Sequence, residues 1–390
     1  MRLRFRNILT IKYCIMKKVL FFALSAGVAL VACTKNEVRP VEVDQEITFQ
    51  AVVDKAATKA GTFETSATYP TDRPFGTFAF FYTTSGGYTK DAPKYIDNAK
   101  VENTTSATSG EAWTTNPKYY WPKQGYLTFM SYSPYDKLNS IVKCEAATDA
   151  LAEIKIPNWD VDANQDVDIM IADRVDNKTA NESHGGYTGV PTVFRHKLAQ
   201  IVKFSIKTKE DFRNLKAGAP QAGSKLFFLK KIELQKIVTN GSFTSGVQPS
   251  NINTGVWSEA STPETKNYIW YNNEASTLAQ EQDYEFNTTA VALSSGTIAS
   301  NGYLLVRPQT FAENDAKKIE ITYVIRSYTS ASAYSDETVK QSFNIYSATH
   351  SWDINKKYSF TITVDLNQIY WAPSVENWED GASTEYVFDN

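Results

Sequence analysis

The chain has 390 residues and a formal charge of -3, with 40 Lys and Arg against 43 Asp and Glu. So even a balance gives no electrostatic pull toward nucleic acid or an anionic surface, and no nucleic-acid partner is expected. Hydrophobic residues make up 42% and aromatics 13%, with 22 Tyr and 21 Phe, which supplies a core and favours strands over helices.

The leader comes first. Lys17 and Lys18 follow Met16 and precede an apolar run from Val19 to Ala32. A run of about 14 residues is shorter than the roughly 20 that span a bilayer, and fits the hydrophobic region of an export signal. Residues 1–32 are therefore predicted to be a signal peptide, whose true start is possible at Met16. Leu30-Val31-Ala32-Cys33 resembles the bacterial lipobox, in which the cysteine is acylated and becomes the new N-terminus. Each buried acyl methylene adds about 0.8 kcal/mol, so a multiply acylated Cys33 would hold the chain to outer-membrane lipid. Thr34 to Asp44 is polar and reads as a tether. Of the three cysteines only Cys144 lies in the body, so no internal disulfide framework is available, and Cys144 reads as a small apolar residue.

The mature chain opens on EITFQAVVDKAATKAG, residues 46–61. Ile47, Phe49, Ala51 and Val53 alternate with Thr48, Gln50 and Val52 and predict a strand. Lys55 and Lys59 follow in a small, polar segment that reads as an exposed loop. Further strands are predicted at 77–83, 126–132 and 167–172, and then in KLAQIVKFSIK, KLFFLKKIELQKI, GYLLVRP, KKIEITYVIRSY and KKYSFTITVDL. The last has the clearest alternation, placing Tyr358, Phe360, Ile362, Val364 and Leu366 on a core face. Thr208 to Leu215 is expected to form one or two helical turns, and no long amphipathic helix is present in the pattern. Short strands between Gly-, Ser-, Thr- and Asn-rich turns predict an all-β fold of sandwich type. The Gly-rich stretch ending at Pro191 divides it into an N-terminal domain, 45–190, and a C-terminal domain, 191–390.

Motifs of chemistry are sparse. His184, His196 and His350 lack partners at ligand spacing, and no HExxH, GxSxG or P-loop pattern occurs. Asp160, Asp162, Asp166 and Asp168 begin like a calcium loop, but Gln165 stands where the turn glycine belongs and Ile171 where the closing glutamate belongs. A solvated acidic turn is the better reading. No metal, cofactor or enzymatic activity is expected.

Several segments together resemble the fimbrillin family, the subunits of type V pili in Bacteroidetes. They are the Cys33 lipobox, ITFQAVV followed by ATKA, YYWPKQGYLTFMSYSP at 119–134, DIMIAD at 168–173, FRHKLAQIVKFSI at 194–206 and WDINKKYSFTITVDL at 352–366. The resemblance implies two transthyretin-like β-sandwich domains in tandem, export as an outer-membrane lipoprotein, and display at the cell surface in fimbriae. It also implies that a trypsin-like protease cuts after a basic residue beyond the first strand. The strand is thereby released, and a strand of another pilus subunit takes its place. Lys59, and second Lys55, are the basic residues available here. Many family members carry Arg at that point; a protease that demands Arg would leave this chain uncut, as an anchor. The C-terminal segment, with Ile369, Trp371 and Val375, is the candidate donor strand; if it folds back into its own domain, a tip or terminating subunit is implied. A surface glycan-binding lipoprotein, using exposed aromatics on a sandwich, is the alternative, and a surface glycosidase is third.

Cys33→Ala is expected to abolish incorporation of a fatty-acid analogue in growing cells. Equal labelling of mutant and wild type would contradict lipidation at this residue.

Overall fold

The computed structural model describes residues 44–53, 69–104, 113–146, 151–180, 189–246, 255–274, 285–293, 302–366, 369–377 and 384–385. Residues 46–390 group as one unit by contact. Strands dominate, as the β-branched and aromatic content leads one to expect. The sole α-helix among the described residues is a single turn, α1 (Tyr135–Leu138).

The first sheet is built from β1 (Thr48–Val53), β2 (Phe75–Tyr82), β3 (Lys94–Asn103), β4 (Trp113–Asn116), β5 (Tyr126–Ser133), β8 (Met170–Ala172), β9 (Val175–Lys178) and β10 (Val190–His196). Its order is β2-β3-β4-β1-β10-β8-β5-β9, and an additional β2–β5 pairing closes all but β9 into a ring. Ile47, Phe49, Phe75, Ile96, Val101, Trp113, Phe129 and Phe194 form one buried cluster from this sheet, joined by Tyr69. The opposite faces of β2 and β5 contribute Phe78, Phe80, Met130 and Tyr132 to a second cluster. Burial on both faces accounts for the continuous apolar runs FGTFAFFY and YLTFMSYS, since neither set of alternate residues meets water.

That second cluster is completed by a four-stranded sheet, β16-β15-β7-β6, made of β6 (Lys143–Ala146), β7 (Ala152–Asp160), β15 (Asn240–Thr244) and β16 (Val256–Glu259). Here β7 pairs with β15, so segments far apart in the chain share one sheet.

A third cluster fills the space between two further sheets. One contains β11 (Ala199–Thr208), β19 (Val291–Leu293), β20 (Leu304–Val306), β25 (Lys356–Val364), β26 (Ile369–Asn377) and β27 (Thr384–Glu385). The other contains β14 (Lys225–Val238), β17 (Thr265–Asn272), β18 (Glu285–Phe286), β22 (Lys318–Ser330) and β23 (Ala333–Asn344). Phe204, Tyr358, Phe360, Ile362 and Val364 face Ile232, Leu234, Trp270, Ile319, Ile321 and Tyr323 in a sandwich core. Two small ladders, β12 (Leu215–Lys216) with β13 (Ala219–Pro220) and β21 (Gln309–Thr310) with β24 (Ser351–Trp352), complete the set.

Two expectations are corrected. Leu366 does not face the core: it lies beyond the end of β25 and is 42% exposed, because the chain bends at Leu366 and the alternation lapses. The helical turns expected over Thr208–Leu215 are absent; β11 runs through Thr208, and the Asp211 side chain accepts the backbone N–H of Arg213 at 3.1 Å, a turn-type bond that competes with helix.

Phe360 is fully buried and stacks on Phe204 with ring centroids 5.0 Å apart. Phe360→Ala is therefore expected to lower unfolding free energy by about 3–5 kcal/mol, measured by denaturant titration. A loss below about 1 kcal/mol would contradict the packing described.

Candidate assembly site

The first strand is an interior member of its sheet. It runs parallel to β10, with Phe49 opposite Val190 and Val53 opposite Phe194. On its other side it runs antiparallel to β4, with Thr48 opposite Thr114 and Phe49 opposite Trp113. Just before the strand, the Ile47 N–H donates to the Tyr119 carbonyl at 2.9 Å, and Glu46 meets the Lys118 ammonium at 2.8 Å.

Its alternation is expressed in the packing. Ile47, Phe49 and Ala51 are buried, whereas Val53 is half-buried at the margin of the same cluster. The Phe49 ring stands nearly perpendicular to those of Phe75 and Phe129, with ring centroids 5.8 and 5.7 Å apart. Full burial of a Phe or Ile side chain is worth about 1.5–3 kcal/mol each, so β1 is held by several kcal/mol of side-chain contact in addition to its two ladders. Its withdrawal would expose the Phe75, Phe129 and Phe194 rings and leave the edges of β4 and β10 unpaired.

Gly189 sets the approach of β10 to β1. A Cβ on it would lie 2.6 Å from the Thr48 carbonyl oxygen and 2.7 Å from its carbon. No side chain fits there without moving the backbone, so the glycine read as part of a linker is a packing residue of the strand slot. Tyr69 is a second contributor that alternation did not single out. Its ring stacks on Phe194 at 4.8 Å, its hydroxyl is 2.5 Å from the Ser133 hydroxyl, and burial raises its pKa.

The segments DIMIAD and FRHKLAQ meet across β8 and β10. Arg195 donates through Nε and Nη2 to the two Asp173 carboxylate oxygens, each at 2.8 Å. His196 Nδ1 lies 2.7 Å from Asp168 Oδ2. These pairs flank the three-residue β8, which is laddered to β10 on one side and to β5 on the other.

The C-terminal candidate strand, β26, pairs antiparallel with β25 along its length, Val364 opposite Ile369, Ile362 opposite Trp371 and Tyr358 opposite Val375. It covers the outer edge of β25 and carries β27 on its far side. Val375 packs against the sandwich core. Cys33, Lys55 and Lys59 lie outside the described residues.

His184 also lies outside the described residues, and other residues singled out by sequence have structural partners. Cys144 is buried, 3.5 Å from the Met130 sulfur, and desolvation pushes its thiol up to about 12, the opposite of a reactive thiolate. Asp162 pairs with Lys266 at 3.1 Å, and Asp166 with Lys137 at 3.0 Å, whose hydrogen bond lowers the Asp166 pKa. Among the described residues no group of three or more His, Cys, Asp or Glu is placed to hold a metal ion. No described helix is long and apolar enough to cross a membrane.

A family model described as fimbrillin-like matches residues 45–378. The chain belongs to the fimbrillin-like family. Among solved structures, a fimbrial protein from Bacteroides vulgatus is similar with a TM-score of 0.50 at 14% identity, covering 86% of this chain and 100% of that one. The tip fimbrial protein Mfa3 from Porphyromonas gingivalis, with a C-terminal truncation, matches with a TM-score of 0.32 at 13% identity, covering 86% of this chain and 100% of that one. No curated protein matches. Membership in the family supports a pilus subunit role at the cell surface, in contact with other subunits.

Gly189→Val is expected to displace β1 from β10, lowering the thermal midpoint and speeding limited proteolysis within the N-terminal 60 residues or so. Wild-type proteolysis and melting would show that the close approach is not needed.

Proposed function

We propose that this chain is a structural, non-catalytic subunit of cell-surface fimbriae, exported as a lipoprotein through Cys33 and assembled by strand replacement in the slot now filled by β1. The observation that carries the reading is the position of β1: an N-terminal strand inserted between β4 and β10, burying Ile47, Phe49 and Ala51, and followed by the segment bearing Lys55 and Lys59. A trypsin-like cut there leaves β1 attached only by noncovalent contacts. The vacated slot offers two backbone edges and pockets at alternate positions, the elements of recognition by strand addition. Delaying exposure of those edges until after export avoids premature aggregation.

The proposal divides the mature chain into an N-terminal domain, 45–190, and a C-terminal domain, 191–390, with β10 (Val190–His196) crossing that boundary to complete the first sheet and its aromatic cluster. The four-stranded sheet joins the two.

Ile369, Trp371 and Val375 share one parity, as do Ile47, Phe49, Ala51 and Val53, so the C-terminal strand can present apolar residues to alternate pockets of a neighbour. Pro373 falls between them and lacks an N–H, which suits an edge position. In the conformation described, β26 instead pairs with β25 of its own chain. Donation requires that pairing to open; a subunit in which it persists would end a fibre, which is the tip or terminator reading.

The test is the double variant Lys55→Ala, Lys59→Ala in cells that assemble surface filaments. It is expected to remain full length from Cys33 and monomeric on gels, while wild type gives protease-resistant ladders. Ladders from the double variant would show that release of β1 at these lysines is not the control point. Wild type recovered uncut from filaments would favour an anchor.

A further inference from the structure

We propose that β23 is a second contact surface, at which two copies of this chain pair edge to edge in an antiparallel, two-fold arrangement centred on Thr338. This contact is separate from the β1 slot and does not depend on strand replacement.

The strand spans Ala333–Asn344 and ends the order β17-β14-β22-β23, so among the described residues its one ladder partner is β22. Residues 333–338, Lys340 and Ser342 are exposed, and Val339, Gln341 and Phe343 are half-buried. A long exposed edge presents a row of backbone donors and acceptors to another strand. Charge, proline and bulges commonly keep such edges from pairing indiscriminately; β23 has no proline, and its charges are of both signs, so they can favour one partner register over the others. It carries Asp336, Glu337 and Lys340, opposite signs within five positions.

The charges select the register. In an antiparallel pair with a two-fold axis normal to the sheet, directly opposed residues lie on the same face, so the axis passes through one residue of each strand. An axis on Glu337 would set Glu337 against its own copy, and an axis on Lys340 would set two lysines together. An axis on Val339 opposes no unlike charges. An axis on Thr338 places Asp336 opposite Lys340 of the second copy, and Lys340 opposite its Asp336. It also places Glu337 opposite Val339, Ser335 opposite Gln341 and Ala333 opposite Phe343, using nearly the whole strand.

The neighbours of these charges extend the match. Asp336 accepts both Arg326 Nε and Nη2 at 2.7 Å, and Lys340 lies 2.7 Å from Glu320. Pairing on Thr338 would therefore create, twice over, a row of alternating sign in which exposed Asp336 and the second copy's Lys340 lie between the buried Arg326 of one copy and the buried Glu320 of the other. The half-buried Val339 and Phe343, on the core side, would gain cover from the second copy.

Cysteine cross-linking reads the register directly, in a chain with Cys14 and Cys33 replaced by Ser. Thr338→Cys is expected to give a disulfide-linked dimer under mild oxidation. Ser335→Cys alone should not, whereas Ser335→Cys mixed with Gln341→Cys should. Sedimentation of the same chain without the added cysteines should show a concentration-dependent dimer, weakened at least tenfold by Asp336→Lys, which opposes two lysines. A chain monomeric at all concentrations, or cross-linking as strong from Ser335→Cys alone as from Thr338→Cys, would overturn the proposal.

Discussion

The structure depends on the lodging of β1 between β4 and β10. Neither neighbour pairs with the other, so β1 supplies the backbone partner for both and closes the first sheet into a ring. The same strand delivers Phe49 to a cluster in which Tyr69, Phe75, Trp113, Phe129 and Phe194 are all buried. Side-chain and main-chain terms act together: a slip of one residue would turn Ile47, Phe49 and Ala51 outward and break the core at once. Gly189 permits the close approach on which the parallel ladder rests, and the Glu46–Lys118 pair adds little at an exposed position.

Beside that slot, the short β8 is held by ladders to β10 and β5 and by side-chain pairs just beyond its two ends. Arg195 with Asp173, and His196 with Asp168, pair across β10 and β8 in largely buried positions. A buried ion pair such as Arg195–Asp173 contributes little net stability, because desolvation offsets attraction, but loss of one partner is costly. The effect of the two pairs is to fix one register for a strand of three residues. Two segments recognisable in the sequence as separate motifs are thus one interaction in the fold.

Alternation was a good guide where one face of a strand is wet and the other dry. β1 and β25 were legible for that reason, with Ile47, Phe49, Ala51, Tyr358, Phe360, Ile362 and Val364 all buried as the pattern predicts. The all-β class followed from many such segments. Pairing partners were not legible, because nothing local to ITFQAVV says that it lies parallel to Val190–Phe194. β23 escaped notice for the opposite reason to β2: AYSDETVKQSFN is wet on most of both faces, so it has no periodic signal. Leu366 shows the limit from the other side, since a correct period carried one step past the last ladder residue placed an exposed leucine in the core. Gly189, in a run of turn-forming residues, looked like punctuation because its role is set by Thr48, far away in sequence.

The unlike neighbours of β1 give its slot a direction. Parallel and antiparallel ladders space their hydrogen bonds differently, evenly and slanted in one, alternately close and wide in the other. A strand lying between β4 and β10 in the sense of β1 forms one ladder of each kind, and one lying in the opposite sense would exchange them, parallel on β4 and antiparallel on β10. The two sides of β1 are therefore unlike, and its two ends face different parts of the molecule. Any object made by filling one such slot after another has a head and a tail, and its two ends offer different chemistry to whatever they touch.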